Sequence, residues 1–178
     1  VVYNVWFFIA GWDSPAVLKI GGWEAHRGIP VAIYLVYDGL SAFILLTVNL
    51  IAFLASFYSL GYIRRFTAEI NFYALLCLMI AGMNGVVLSG DIFNIYVFLE
   101  IAVIASYALV AFGTGKQELE ASFKYQVLGG IASLLILLSV GLLYWQTHTL
   151  NLADISVVIS NSPQTTALIF TEVLLITG

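Results

Sequence analysis

Polar residues are widely spaced in this chain, and the apolar stretches between them are long. They run over 1–10, 30–59, 70–88, 92–112, 121–145 and 165–178. A helix rises about 1.5 Å per residue and the hydrocarbon layer is about 30 Å thick, so roughly 20 apolar residues cross it. The four central stretches approach or exceed that length. The first and last read as partial spans, which makes the chain an internal piece of a longer polytopic subunit. Pro30 opens the stretch 30–59, where a helix tolerates its missing N–H. Only Ser89-Gly90-Asp91 separates 70–88 from 92–112, which forces those helices into an antiparallel pair. Gly11, Pro15, Gly21, Gly22 and Gly28 predict a folded extracytoplasmic loop over 11–29, with a hairpin as one form of it. The expected fold class is all-α integral membrane: a polytopic helix bundle forming a single transmembrane region over 1–178.

Within the helices, residues at i, i+4 and i+7 share a face. Tyr96, Glu100 and Tyr107 fall on one stripe, with Phe93 above. In the stretch from Pro30, Tyr34, Asp38, Ser41, Asn49 and Ser56 lie close to one line. Such a line should face protein or water, because lipid offers no hydrogen-bond partners. Ser122, Gln126, Gly130, Ser133 and Gly141 form a small-residue stripe that favours close helix packing, and Lys124 points away from it.

Composition narrows the function classes. The chain is 62% hydrophobic and 9% charged, against about 25% charged in soluble domains. Its formal net charge of −4 leaves no basic face for nucleic acid. A single cysteine, Cys77, excludes an internal disulfide, a Cys-ligated zinc site and an iron–sulfur cluster. His26 and His148 sit in separate connecting segments, so neither a metal site nor a cofactor is expected. Arg64, Arg65 and Lys116, with Lys124 just inside, mark one side as cytoplasmic against Lys19 and Arg27 on the other.

Glu100 is the leading candidate for function. Nine residues past Asp91, it lies about 13 Å into its helix, near mid-membrane. A carboxylate there costs on the order of 2–3 kcal/mol, and intramembrane acids mark functional sites by default. The bland reading is a paired acid that only fixes packing. Lys124 follows Glu120 by four residues, which suits both a boundary ion pair and an ion path. Asp38, eight residues inside the helix expected from Pro30, would sit about 12 Å deep, as a structural acid bonded to Tyr34 or Ser41 or as a path residue. Asp91 reads as a helix N-cap rather than a proton entry group. Asn84, beside Gly82 and Gly85, is placed to bond a neighbouring helix. Gly113-Thr114-Gly115-Lys116 is a turn and no phosphate loop: Val110 and Gln117 stand where Gly and Ser/Thr are required.

Several strings carry a resemblance. They are Asp38-Gly39-Leu40-Ser41, Gly90-Asp91-Ile92-Phe93-Asn94-Ile95-Tyr96-Val97-Phe98-Leu99-Glu100, Ala105-Ser106-Tyr107, Ser122-Phe123-Lys124-Tyr125, Leu143-Tyr144 and Thr149-Leu150-Asn151-Leu152-Ala153-Asp154. Over roughly 21–155 the chain resembles the antiporter-like membrane subunits of Mrp-type sodium/proton antiporters, membrane-bound hydrogenases and respiratory complex I. The Gly-Asp-x-Phe-Asn-x-Tyr-Val-Phe-x-Glu string looks closer to the Mrp D and hydrogenase branches. The resemblance implies a fragment of a subunit of about fourteen helices in two repeats. It makes Glu100 the family's fifth-helix glutamate and Lys124 its sixth-helix lysine, with the glutamate's lysine partner beyond Gly178.

The implied function is proton translocation, with or without coupling to sodium, in a multisubunit complex of a prokaryotic cell membrane. Glu100 and Lys124 would carry it, with Asp38, Tyr96, Tyr107 and Asp91 as path or support. Partners would be other membrane subunits, the lipid bilayer, protons and, in one form, Na+. The fragment would not catalyse alone, but would serve an ion-translocating oxidoreductase or hydrogenase complex. The rival is a structural membrane subunit with no ion path of its own.

Overall fold

A computed structural model of the chain describes residues 15–20, 33–63, 68–161 and 166–178. The first partial span, His26, Arg27, Arg64 and Arg65 lie outside the described residues. Two strands, β1 (Ala16–Ile20) and β2 (Ile33–Tyr37), pair antiparallel with Ala16 opposite Tyr37 and Ile20 opposite Ile33. The helices that follow are α1 (Gly39–Tyr62), α2 (Glu69–Leu88), α3 (Ile92–Val110), α4 (Lys116–Thr147), α5 (Leu152–Asn161) and α6 (Thr166–Thr177). A single 3-10 turn, Ala111–Gly113, continues α3. Helices α1 to α4 are long and apolar enough to cross a membrane. The described residues form a helical membrane bundle carrying a small hairpin.

That hairpin corrects the reading of the first long stretch. The helix expected from Pro30 begins at Gly39, and Ile33-Tyr34-Leu35-Val36-Tyr37 is strand. Aromatic and β-branched residues fit a pleated surface better than a helix start. Asp38 is therefore not 12 Å deep: it is the N-cap of α1. Its Oδ1 accepts from the Ser41 N–H at 2.8 Å, and Ser41 Oγ accepts from the Asp38 N–H at 2.7 Å, a capping box. Tyr34 leaves the polar line altogether. Lys116 likewise opens α4 five residues before the expected start at Ala121.

The helices are joined by small residues and amides. Asn49 of α1 and Asn84 of α2 exchange hydrogen bonds at 3.1 and 3.2 Å, each amide donating and accepting. Between α2 and α3, a side chain at Gly82 would meet the Ala102 backbone nitrogen at 2.7 Å, and one at Gly85 would strike the Phe98 ring. Between α3 and α4, the Tyr107 hydroxyl lies against Gly129, and Ser122 Oγ donates to the Tyr107 carbonyl at 2.8 Å. Gln146 Nε2 of α4 donates to Thr171 Oγ1 of α6 at 3.0 Å.

The Ser89–Asp91 turn knits one end of the bundle. The Gly90 N–H donates to the Tyr34 carbonyl of β2 at 2.8 Å. On its other side the Ile92 N–H donates to the Leu150 carbonyl at 2.9 Å, and the Leu152 N–H to the Gly90 carbonyl at 3.1 Å. Beneath it Ile92, Val140, Leu143 and Ile155 form a buried apolar cluster. The hairpin, this turn and the start of α5 therefore share one side of the membrane, while Lys116 and the Ala111–Gly113 turn lie on the other.

Loop charge predicts that the Lys116 side is cytoplasmic. In a Cys77→Ser background of the assembled complex, a cysteine at position 148 should react with an impermeant thiol reagent from outside. One at position 118 should react only from the cytoplasmic side. The opposite pattern would reverse the orientation.

Candidate functional site

Helix α3 begins where Asp91 stops the turn. The Asp91 Oδ1 accepts from the Asn94 N–H at 2.9 Å, the N-cap bond that its place before Ile92 predicts. Burial pushes the Asp91 carboxyl up, against the lowering effect of the Asn94 and Phe93 N–H groups. The Asp38 carboxyl goes the other way, held low first by the Ser41 N–H. Both acids are used in capping.

From Asp91 the helix carries Glu100 about 13 Å inward. Its Oε1 accepts from the Ser133 hydroxyl of α4, which also lies 3.3 Å from the Tyr96 hydroxyl. Tyr96 and Glu100 thus meet α4 through one serine. Two helical turns further along α3, Tyr107 is buried, its ring edge-on to Tyr125 at 4.7 Å between centroids. A cleft of about 510 Å³ opens between α3 and α4, with Glu100, Tyr107, Ser122, Gln126, Gly130 and Ser133 in its wall. The two stripes of the sequence, one with the acid and one with small residues, face each other across it.

Ser133 was readable as a packing residue and is the acid's direct partner. A signal for it exists. Tyr96 and Tyr107 are eleven residues apart, as are Ser122 and Ser133. Eleven residues are about three helical turns, so two antiparallel helices repeating at that interval can pair at both ends. The structure pairs Tyr96 with Ser133 and Tyr107 with Ser122.

Lys124 stands apart from this cleft. Its Nζ lies 2.6 Å from Glu120 Oε1, and both side chains are more than half exposed, at 68% and 58%. Trp145, 72% exposed, marks the far interface of α4. About 20 residues, or 30 Å of helix, separate it from Tyr125. Lys124 therefore sits near the Lys116 end of α4, exposed, with Phe123 and Leu128 exposed beside it. Among the described residues, no group of His, Cys, Asp and Glu could hold a metal ion.

A family model described as NADH:quinone oxidoreductase/Mrp antiporter, TM, matches residues 89–178, which include the whole cleft. The chain is 39% identical over 159 residues to a Na(+)/H(+) antiporter subunit of Bacillus subtilis (strain 168), covering 89% of this chain and 31% of that protein. It is 36% identical over 161 residues to an NADH-quinone oxidoreductase subunit of Desulforudis audaxviator (strain MP104C), again 89% of this chain and 31% of that one. A chain of the membrane-bound sulfane sulfur reductase, an archaeal respiratory membrane complex, superposes with a TM-score of 0.86 at 32% identity, over 99% of this chain and 35% of that chain. The chain thus spans about a third of the length of these relatives.

Proposed function

The chain belongs to the NADH:quinone oxidoreductase/Mrp antiporter transmembrane family, and on that premise we propose that it moves protons through Glu100 as part of an antiporter-like subunit of a multisubunit membrane complex. It is a multi-pass protein of the prokaryotic cell membrane. The observation that carries the reading is the placement of Glu100. A carboxylate at mid-membrane turns toward a polar cleft and takes a hydroxyl donor, away from lipid. Such a group can hold a proton when isolated and release it when a cation comes near.

The end of α6 packs against α4 close to the depth of Glu100. A Cβ at Gly178 would meet the Ala132 carbonyl of α4 at 2.8 Å, one residue from Ser133. Coupling to Na+ belongs to the same proposal through the named activity of the Bacillus relative. The other subunits of such a complex would be its partners, seated on apolar faces such as the outer side of α4. The test is proton and Na+ flux in vesicles holding the assembled complex, with Glu100→Gln as the deciding variant. Wild-type flux in that variant would make this segment a structural subunit.

For Lys124 we propose a supporting role at the cytoplasmic inlet, acting from the outer face of α4. Lys124→Ala should then lower flux several-fold while Glu120→Ala barely changes it. Exposed ion pairs contribute about 0–1 kcal/mol, so a pair that only snorkels would give two equal and mild effects. That outcome, with normal assembly, would reduce Lys124 to a boundary residue.

A further inference from the structure

Resting on the Glu100 reading, we propose that Asn49 and Asn84 are a positioning pair: their amides clamp α1 to α2, and α2 seats the turn of α3 that carries Glu100. The seam they cross on α1 consists of Ala42, Leu45, Asn49, Ala52, Ser56 and Ser59, at alternating intervals of three and four residues. Ala42, Leu45, Ala52 and Ser59 are buried, and Asn49 and Ser56 are half-buried. This is a heptad seam, but four of its six side chains are Ala or Ser. Lipid supplies no hydrophobic force between helices, so such a seam closes through close packing and hydrogen bonds across it. The chain connections at either end tether α1 to α2 without fixing how α1 is turned about its axis.

The amide pair fixes that rotation. Asn49 Nδ2 donates to Asn84 Oδ1 at 3.1 Å, and Asn84 Nδ2 donates to Asn49 Oδ1 at 3.2 Å. Asn49 Nδ2 also donates to the Leu45 carbonyl of its own helix at 2.7 Å, which sets the orientation of the amide. The Thr47 and Ser56 hydroxyls bond carbonyls within α1, at 3.0 and 2.7 Å. Toward the other end of the seam the Ser59 and Tyr73 hydroxyls lie 3.3 Å apart. Were α1 to turn about its axis, both carboxamides would lose partners that lipid cannot replace. A single Asn in a coiled-coil seam selects one alignment of its helices by the same cost.

The clamp reaches the site through α2. Asn84 lies between Gly82 and Gly85, where α3 presses closest. A Cβ at Gly82 would lie 2.7 Å from the Ala102 nitrogen and 2.8 Å from the Phe98 carbonyl oxygen, and one at Gly85 would strike the Phe98 ring. Glu100 stands midway between Phe98 and Ala102, a little over half a turn from each, so its side chain points away from α2 to Ser133 of α4. The backbone beneath Glu100 therefore rests on α2, and α2 on α1. A shift of α2 carries that turn of α3 with it, because the closest atoms are backbone atoms.

A removable clamp tests this. In a Cys77→Ser background of the assembled complex, Asn49→Cys/Asn84→Cys deletes the amide bonds and supplies two thiols. Hg2+ bridges them, each sulfur releasing its proton as it binds the metal. Proton flux per assembled complex, counted on a native gel, should fall at least about fivefold in the Cys pair, since a reacting group displaced by about 1 Å can lose far more. Hg2+ should return it to within about twofold of the parent, and dithiothreitol should abolish the recovery. The parent and the two single-cysteine variants should gain nothing from Hg2+. Loss of maleimide labelling at both thiols reads the bridge.

Thiols that fail to bridge would place positions 49 and 84 apart in the complex and overturn the pairing. Parent flux in the unbridged Cys pair would make the clamp dispensable. A bridged pair as slow as the unbridged one would mean that transport needs the amides themselves and not their clamping. Should the Cys pair not assemble, Asn49→Leu/Asn84→Leu keeps the volume and leaves no orphaned amide. Parent flux there overturns the proposal, and a fall of at least about fivefold upholds it. If Glu100→Gln transports normally, the proposed function fails. If Glu100→Gln is inactive while the unbridged Cys pair transports normally, only the positioning fails.

Discussion

Replacing Glu100 by Gln should leave the complex assembled and cut ion flux by at least about tenfold, equal to about 1.4 kcal/mol on the barrier. Gln has nearly the volume of Glu, and its amide oxygen can still accept from Ser133, so packing between α3 and α4 survives. What it lacks is a second protonation state. A group that carries protons must pass between its neutral and charged forms during turnover, and an amide has only one form. Glu100→Asp keeps the charge on an arm one methylene shorter, further from Ser133, and should retain part of the flux. Flux in vesicles, normalised to assembled complex on a native gel, gives the measurement. Full flux in assembled Glu100→Gln would make the carboxylate a packing element.

The largest effect on the fold is expected at Gly82. A side chain there would lie 2.7 Å from the Ala102 nitrogen and 2.8 Å from the Phe98 carbonyl oxygen, both backbone atoms that no rotamer change can move. Helices α2 and α3 would have to separate. Gly85 is as crowded, but its neighbour is the Phe98 ring, which can turn. Overpacking costs about 1–3 kcal/mol, more than the roughly 0.5–1 kcal/mol that Ala gains over Gly inside a helix. Gly82→Val should therefore remove most of the assembled complex, with Gly85→Ala in between. Gly141→Ala, where nothing lies within 4 Å, should assemble normally. Normal assembly of Gly82→Val would show that α2 and α3 are not held by this contact.

How much of this was legible depended on the length of the pattern. The helices carrying Ile70–Leu88 and Ile92–Phe112 were readable because a three-residue turn leaves no choice but an antiparallel pair. The Asp91 cap and the reach of Asn84 to a neighbour were readable for a related reason: each is a local rule with one satisfied outcome. The start of α1 was not. Pro30 permits a helix, but Ile33–Tyr37 prefers a strand once β1 supplies an edge, and that edge is a tertiary fact. Misplacing the helix start carried Asp38 into the membrane and Tyr34 onto a helix face. The site was half legible. Periodicity placed Glu100 and Ser133 each on a polar face, yet which faces meet depends on the register between helices. The equal eleven-residue intervals held that register, and only the structure shows that they are used.

The turn at Gly90 has a mechanical consequence. Backbone hydrogen bonds tie it to β2 on one side and to Leu150–Leu152 on the other, so α2, α3, α4 and α5 are bound together at that end. Toward the cytoplasm, α3 and α4 are held by a tyrosine in a glycine notch and by a serine on a carbonyl. At that end only Thr114 and Gly115 lie between the turn that continues α3 and the first residue of α4, so the gap between these two helices is pinned at both of its ends. Such a pair of helices behaves as beams clamped at both ends, which resists splaying at either.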